Sequence, residues 1–127
     1  PFLVAGTVEG LMAQRLVRTL CSACKTPYQP TEEEQLQLGI PSSATVLYGK
    51  KGCPTCMNTG YRGRMGIYET LLVNDLIRTL ILAKTDSNQI KARAIEQGML
   101  TLRAEGARRV VEGITTTEEV LRVTHED

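Results

Sequence analysis

Cys21-Ser22-Ala23-Cys24 and, after 28 intervening residues, Cys53-Pro54-Thr55-Cys56 hold all four cysteines of the chain. A short Cys-x-x-Cys turn points two sulfurs inward while its backbone amides face the developing negative charge. Two such turns therefore bring four thiolates to the corners of a tetrahedron, the ligand set of a structural zinc ion. Gly52 stands before the second pair where a tight bend is needed, Pro54 lies inside it, and Lys25 follows the first pair. On the residues alone three other readings stay open. Two disulfides are the first, although 127 residues of ordinary apolar content need no such staples and no signal-peptide pattern is present. A redox dithiol is the second, although that motif opens a helix after a strand, and the second arm here lies among Gly and Asn. Four buried thiols without a ligand are the third, against which stands the strict pairing. The spacer exceeds the common zinc-ribbon spacing, so a small subdomain is expected between the arms. Tetrathiolate sites accept iron as well as zinc.

Working outward, hydrophobic residues make up 42% and charged residues 23% of the chain, enough to bury a core and too ordered a balance for intrinsic disorder. With one Phe and no Trp, that core must be mainly aliphatic. The formal net charge of +1 argues against a dedicated nucleic-acid or polybasic membrane surface. No apolar run approaches membrane-spanning length. The chain opens at Pro1 in mid-pattern, and the expectation is a piece of something longer.

Residues 1–13 place Thr7, Val8, Leu11 and Met12 at helical spacing, weakened by two glycines. Residues 14–20 read as a short strand delivering Cys21. Thr31 and Glu34 form a capping box for a short helix ending at Gly39, whose triple Glu is read as a solvated face. Thr45–Tyr48 reads as a strand whose hairpin-like return closes the two arms on one ion. Residues 57–66, with three glycines and the pair Arg62 and Arg64, read either as a tight turn with solvated arginines or as a grip for a phosphate or carboxylate. A strand follows over 67–73. Helices are then expected after the caps Asn74, Asp86 and Thr116, with another over 102–112 that buries Leu102, Ala107, Val110 and Val111. Together they would form a compact bundle of four. The fold class is α+β. No Walker-type loop, dinucleotide fingerprint or metal-hydrolase helix motif occurs, and the sole histidine, His125, stands close to the last residue, where fraying is the default expectation and catalysis by imidazole is not expected.

Three stretches carry a resemblance: Ala13-Gln14-Arg15-Leu16-Val17-Arg18-Thr19-Leu20-Cys21 with the paired cysteines, Thr59-Gly60-Tyr61-Arg62-Gly63-Arg64-Met65-Gly66-Ile67-Tyr68-Glu69, and Gly113-Ile114-Thr115-Thr116-Thr117-Glu118-Glu119-Val120-Leu121-Arg122-Val123. In order and over essentially the whole chain, they resemble the C-terminal part of the type II secretion and type IV pilus assembly ATPases. The resemblance implies a cytoplasmic parent protein, peripheral at the inner membrane, whose homohexamer hydrolyses ATP with magnesium in a RecA-like domain to drive pilus or pseudopilus assembly. It implies a RecA-like tail at 1–20, a tetracysteine metal-binding subdomain at 21–73 and an α-helical subdomain at 74–127. It makes Cys21, Cys24, Cys53 and Cys56 the zinc ligands, one ion per chain, and places Arg62 and Arg64 near a nucleotide or subunit interface. Arg15 and Arg18 are read as ordinary surface charges on a strand. The catalytic loops lie upstream, so this piece is not expected to be an enzyme. Its partners would be neighbouring subunits and the inner-membrane platform or an anchoring protein. The competing reading is a free-standing zinc-ribbon module, for which nucleic acid is the usual target. The chain lacks the clustered basic and aromatic residues such a target needs.

Overall fold

A computed structural model describes residues 10–124. Strand β1 (Gly10–Leu20) leads to the first cysteine pair, followed by β2 (Thr26–Tyr28), α1 (Glu32–Leu38) and β3 (Leu47–Gly49). A one-turn 3-10 segment, Pro54–Cys56, carries the second pair, and β4 (Tyr61–Leu72) leaves it. Four helices follow: α2 (Asp75–Leu82), α3 (Ser87–Glu96), α4 (Leu102–Val111) and α5 (Thr117–Thr124). His125 and most of the expected 1–13 helix lie outside the described residues. The described end of that segment corrects the expectation, because Leu11 and Met12 belong to β1. Glycines at 6 and 10 weaken a helix, and the pairing of β1 with β4 gives the backbone an alternative.

Among the described residues the chain divides into two compact units, one of residues 10–13 and 68–101, the other of residues 14–67 and 102–124. The first unit contains α2 and α3, with Val73, Ile77 and Ala94 buried and Leu80, Ile81, Ile90 and Met99 packed around them. Asn74 caps α2 by accepting from the Ile77 amide at 3.0 Å, and Asp86 caps α3 by accepting from Asn88. Lys91 of α3 pairs with Glu69 of β4 at 3.5 Å.

The second unit contains the cysteines. Its core is Leu38, Leu47, Ala107, Val110 and Val120, with Ile40 and Leu121 packed against them. These residues come from α1, β3, α4 and α5, so the last two helices pack with the cysteine-bearing segment, and the expected bundle of four is divided two and two. Val111 is exposed, and Gly106 takes the buried place on α4 instead. β2 and β3 run antiparallel with Thr26 opposite Gly49 and Tyr28 opposite Leu47, which is the return that draws the two arms together. Thr31 caps α1 through the Glu34 amide, and Gly39 closes it at φ +70. The Glu34 carboxylate accepts from the Tyr28 and Thr117 hydroxyls, so the triple Glu is not wholly a solvated face.

Residues 57–66 are the clearest correction. Met57 and Asn58 make the turn in left-handed conformations, and the chain is already a strand from Tyr61. The three glycines predict a turn, but Gly63, at φ +86, lies inside β4 where an added Cβ would come 3.1 Å from the Thr19 hydroxyl. The Cys21 amide donates to the Gly60 carbonyl at 3.0 Å and the Thr19 hydroxyl donates to the Arg62 carbonyl. As one index falls by two the other rises by two, so β1 and β4 are antiparallel here.

Candidate metal centre

Each cysteine pair is shaped by the same local turn. The amides of Cys24 and Lys25 both donate to the Cys21 carbonyl, at 3.2 and 3.0 Å, and those of Cys56 and Asn58 both donate to the Cys53 carbonyl, at 3.2 and 2.9 Å. The turns leave three amides aimed at sulfur: Gly52 N at 3.4 Å from Cys24 Sγ, and Cys53 N and Gly60 N at 3.3 and 3.2 Å from Cys56 Sγ. Such donors stabilise thiolate over thiol. Burial pushes the Cys56 thiol up, but the Cys53 and Gly60 amides prevail and bring it down to about 6. The Gly52 amide pulls Cys24 down, yet burial and the neighbouring thiols outweigh it and raise it to about 11. The surroundings thus drive Cys24 and Cys56 in opposite directions.

The four Sγ atoms lie within 4.8 Å of one another. Cys21 to Cys53, Cys24 to Cys56 and Cys53 to Cys56 are each 3.8 Å. A tetrahedron with metal–sulfur bonds of about 2.3 Å has edges of about 3.8 Å, so the donor set fits a tetrathiolate ion such as zinc. A disulfide needs about 2.05 Å, and all four cysteines are free. Cys21 and Cys56 are buried and Cys24 and Cys53 half-buried. Four thiolates on one ion would leave no position for substrate, the arrangement of structural rather than catalytic sites.

The other sequence-derived candidates fall elsewhere. Arg62 and Arg64 are exposed on β4, and the groups bonded to the thiols among the described residues are other thiols and backbone atoms. Arg15 is exposed and donates to the Gln14 carbonyl. Arg18 is more than a surface charge. Its guanidinium lies 4.3 Å from the Tyr61 ring centre and donates to Glu119 Oε2 at 3.0 Å, while its backbone amide donates to Glu119 Oε1 at 2.7 Å.

Glu119 is the residue that sequence reasoning missed. Its side chain is 2% exposed, and Arg122 donates to it from both Nε and Nη2, at 3.2 and 3.0 Å. Burial would raise its pKa, but Arg122 and Arg18 hold it at about 2. The expected cap at Thr116 forms, since the Glu119 amide donates to the Thr116 hydroxyl at 3.2 Å. The carboxylate turns instead to Arg18, a hundred residues away in sequence, and no local pattern signals that.

Residues 1–122 match the family described as type II/IV secretion system protein. This chain belongs to that family. Type II secretion system protein E of Pseudomonas aeruginosa is 44% identical over 100% of the chain, which covers 25% of that relative. Type II secretion system ATPase E of Vibrio cholerae is 42% identical over 99% of the chain and 25% of the relative, and type IV pilus assembly ATPase PilB of Thermus thermophilus is 42% identical over 99% and 14%. The chain thus spans about a quarter or less of these type II/IV secretion family members, and relatives named for secretion and for pilus assembly match it about equally.

Proposed function

We propose that this chain is the metal-binding C-terminal portion of an ATPase that powers pseudopilus or pilus assembly and protein secretion, and that Cys21, Cys24, Cys53 and Cys56 hold one structural zinc ion. The observation that carries the metal reading is the set of 3.8 Å sulfur spacings with backbone amides aimed at the thiols. The parent activity rests on the match of the whole chain to relatives named as ATPases. When bound, zinc supplies a cross-link between the β1 end, the 3-10 turn and the β2–β3 pair, on the order of 10 kcal/mol that a small aliphatic core would not. On this reading residues 1–20 are the tail of a RecA-like nucleotide domain, 21–73 the tetracysteine segment and 74–127 the C-terminal helical segment. The two contact units cut across that division. ATP and magnesium would bind elsewhere in the parent, in keeping with the absence of a phosphate-binding loop from these 127 residues.

This portion would act as a rigid support for packing neighbouring subunits of a homohexamer and for docking to the inner-membrane platform or its anchoring protein, without chemistry of its own. No helix among the described residues is long and apolar enough to cross a membrane. Attachment at the cytoplasmic face of the inner membrane would be peripheral, through partners. The exposed Arg62 and Arg64 on β4 would serve a subunit or nucleotide interface. Arg64→Ala in the parent protein is expected to lower ATPase rate or assembly, and both unchanged would sink that role.

The decisive experiment is metal content on protein purified without added metal, with a free-thiol count before and after chelation. One zinc per chain, with four thiols appearing only after chelation, is the expected result. Two disulfides without metal, or four thiols free from the start, would overturn the zinc reading, and a coloured iron centre would replace it.

A further inference from the structure

We propose that metal occupancy is coupled to the seating of the 113–124 segment, so that Glu119 and Thr115 tune metal affinity although neither bonds to a thiol. The inference rests on the metal reading above. Besides its bonds to Glu34 and Arg103, this segment is attached at several points to residues close in sequence to a cysteine. Leu20, one residue before Cys21, donates its amide to the Ile114 carbonyl at 2.7 Å. Lys25, one residue after Cys24, donates to the Gly113 carbonyl at 3.0 Å, and its ammonium lies 4.6 Å from the Tyr48 ring centre. The Thr115 hydroxyl donates to the Arg18 carbonyl at 2.7 Å, and Glu119 takes the Arg18 amide and guanidinium. Tyr61, five residues past Cys56, shares a 2.9 Å hydrogen bond with the Thr116 hydroxyl. Leu47, shortly before the second pair, is fully buried against Val110 and Val120.

The metal site and the helical segment therefore hold neighbouring residues of the same backbone stretches. The ion fixes where β1 ends, where the β2–β3 return lies and where β4 begins. The segment 113–124 needs all three in place to complete its bonds. Two ligands that favour the same arrangement of shared elements assist each other, and the assistance is reciprocal by linkage. Seating the segment tightens the metal, and filling the metal site seats the segment.

Reciprocity gives a test in both directions on the 127-residue chain. In one arm, zinc affinity is measured by competition with a chromogenic chelator for wild type, Glu119→Gln, Thr115→Val and the exposed neighbour Glu118→Gln. The first two variants are expected to bind zinc at least about fivefold more weakly, the lower end of ordinary coupling, and Glu118→Gln to match wild type. In the other arm, amide hydrogen exchange is followed on the wild-type chain before and after chelation. Protection is expected to fall over 114–124 together with the cysteine turns while α2 and α3 keep theirs. Wild-type affinity in both Glu119→Gln and Thr115→Val would overturn the coupling, as would undiminished protection of 114–124 in the metal-free chain. The second arm needs no variant, so misfolding of a substituted chain does not blunt the test. Absence of any zinc binding by wild type would instead defeat the metal reading itself.

Discussion

Gly106→Ala in α4 ought to stabilise a helix and is expected here to do the reverse. Alanine gains about 1 kcal/mol over glycine in a helix interior. The added methyl would lie 2.7 and 2.9 Å from the two γ-carbons of Val120 and 3.3 Å from Ile67 Cδ1. Carbon pairs rest near 3.5–4.0 Å, so helix α5 would have to retreat by most of an ångström or Val120 would have to turn. Turning is closed to it, because a β-branched residue in a helix has one strongly preferred rotamer. Retreat would strain the core around Val110 and Val120, both fully buried, and overpacking of that kind costs about 1–3 kcal/mol before the propensity gain is set against it. With two contacts under 3.0 Å the upper end applies, leaving a net loss of about 2 kcal/mol. Urea unfolding of the zinc-loaded chain at pH 7 measures it. In a Val120→Ala background, Gly106→Ala should cost less than it does in wild type, since the first change removes the atoms that clash. A Gly106→Ala chain as stable as wild type or more so would refute the close approach of α4 and α5 as the limiting contact.

Acid should act through Glu119. Its carboxyl is held at about 2 against an ordinary 4.5, so its contribution is complete above about pH 4.5 and is lost as pH falls towards 2. Between pH 5 and pH 2.5 wild type is expected to lose about 2 kcal/mol more than Glu119→Gln in urea unfolding, the half-exposed arginines having screened part of the full linkage value; equal losses would count against it. Gly60→Ala should weaken metal retention. At φ +84 a side chain there is strained and its Cβ would overlap Lys50 Cβ, in a residue whose amide lies 3.2 Å from Cys56 Sγ, so zinc release to a chelator should accelerate at least about tenfold. Unchanged release would show that the amide contributes nothing to holding the site.

The paired cysteines, the caps at Thr31 and Asn74 and the aliphatic character of the core were legible because each rests on local spacing. Thr31 caps α1 whatever its neighbours do, and two Cys-x-x-Cys turns have few ways to close. What escaped was decided by long-range contacts. Gly63 and Gly66 signal a turn in any local reading, and only the pairing with β1 makes them strand residues. Val111 and Gly106 have the wrong size for their places by composition alone. The approach of Val120 reserves the buried place for glycine. Arg18 and Glu119 each look like surface charges in their own segments, because the partner that buries one is a hundred residues from the other.

The burial of Glu119 follows from an accounting of backbone groups. β1 belongs to a two-stranded sheet, and β4 lies along one of its edges. Near its end, the Arg18 amide, the Arg18 carbonyl and the Leu20 amide are bonded to Glu119, Thr115 and Ile114. The segment 114–119 thus stands where a further strand would stand and satisfies groups that burial would otherwise orphan. Two of those partners are side chains, which is why a threonine and a glutamate sit in a core. The account separates charge from hydrogen bonding at position 119. Glutamine keeps a carbonyl oxygen that can accept from the Arg18 amide and loses only the pairing with the two arginines. Leucine has a comparable volume and no acceptor, so it leaves that amide unsatisfied at a further cost of about 1–3 kcal/mol. A buried ion pair can often be replaced by apolar packing without loss. If pairing were the only role, Glu119→Leu would be as stable as Glu119→Gln in urea at pH 7. The expected order is wild type, then Glu119→Gln, then Glu119→Leu, with the last step at least as large as the first. The reverse order would mean that the carboxylate is held for its charge and that the end of β1 finds its partners elsewhere.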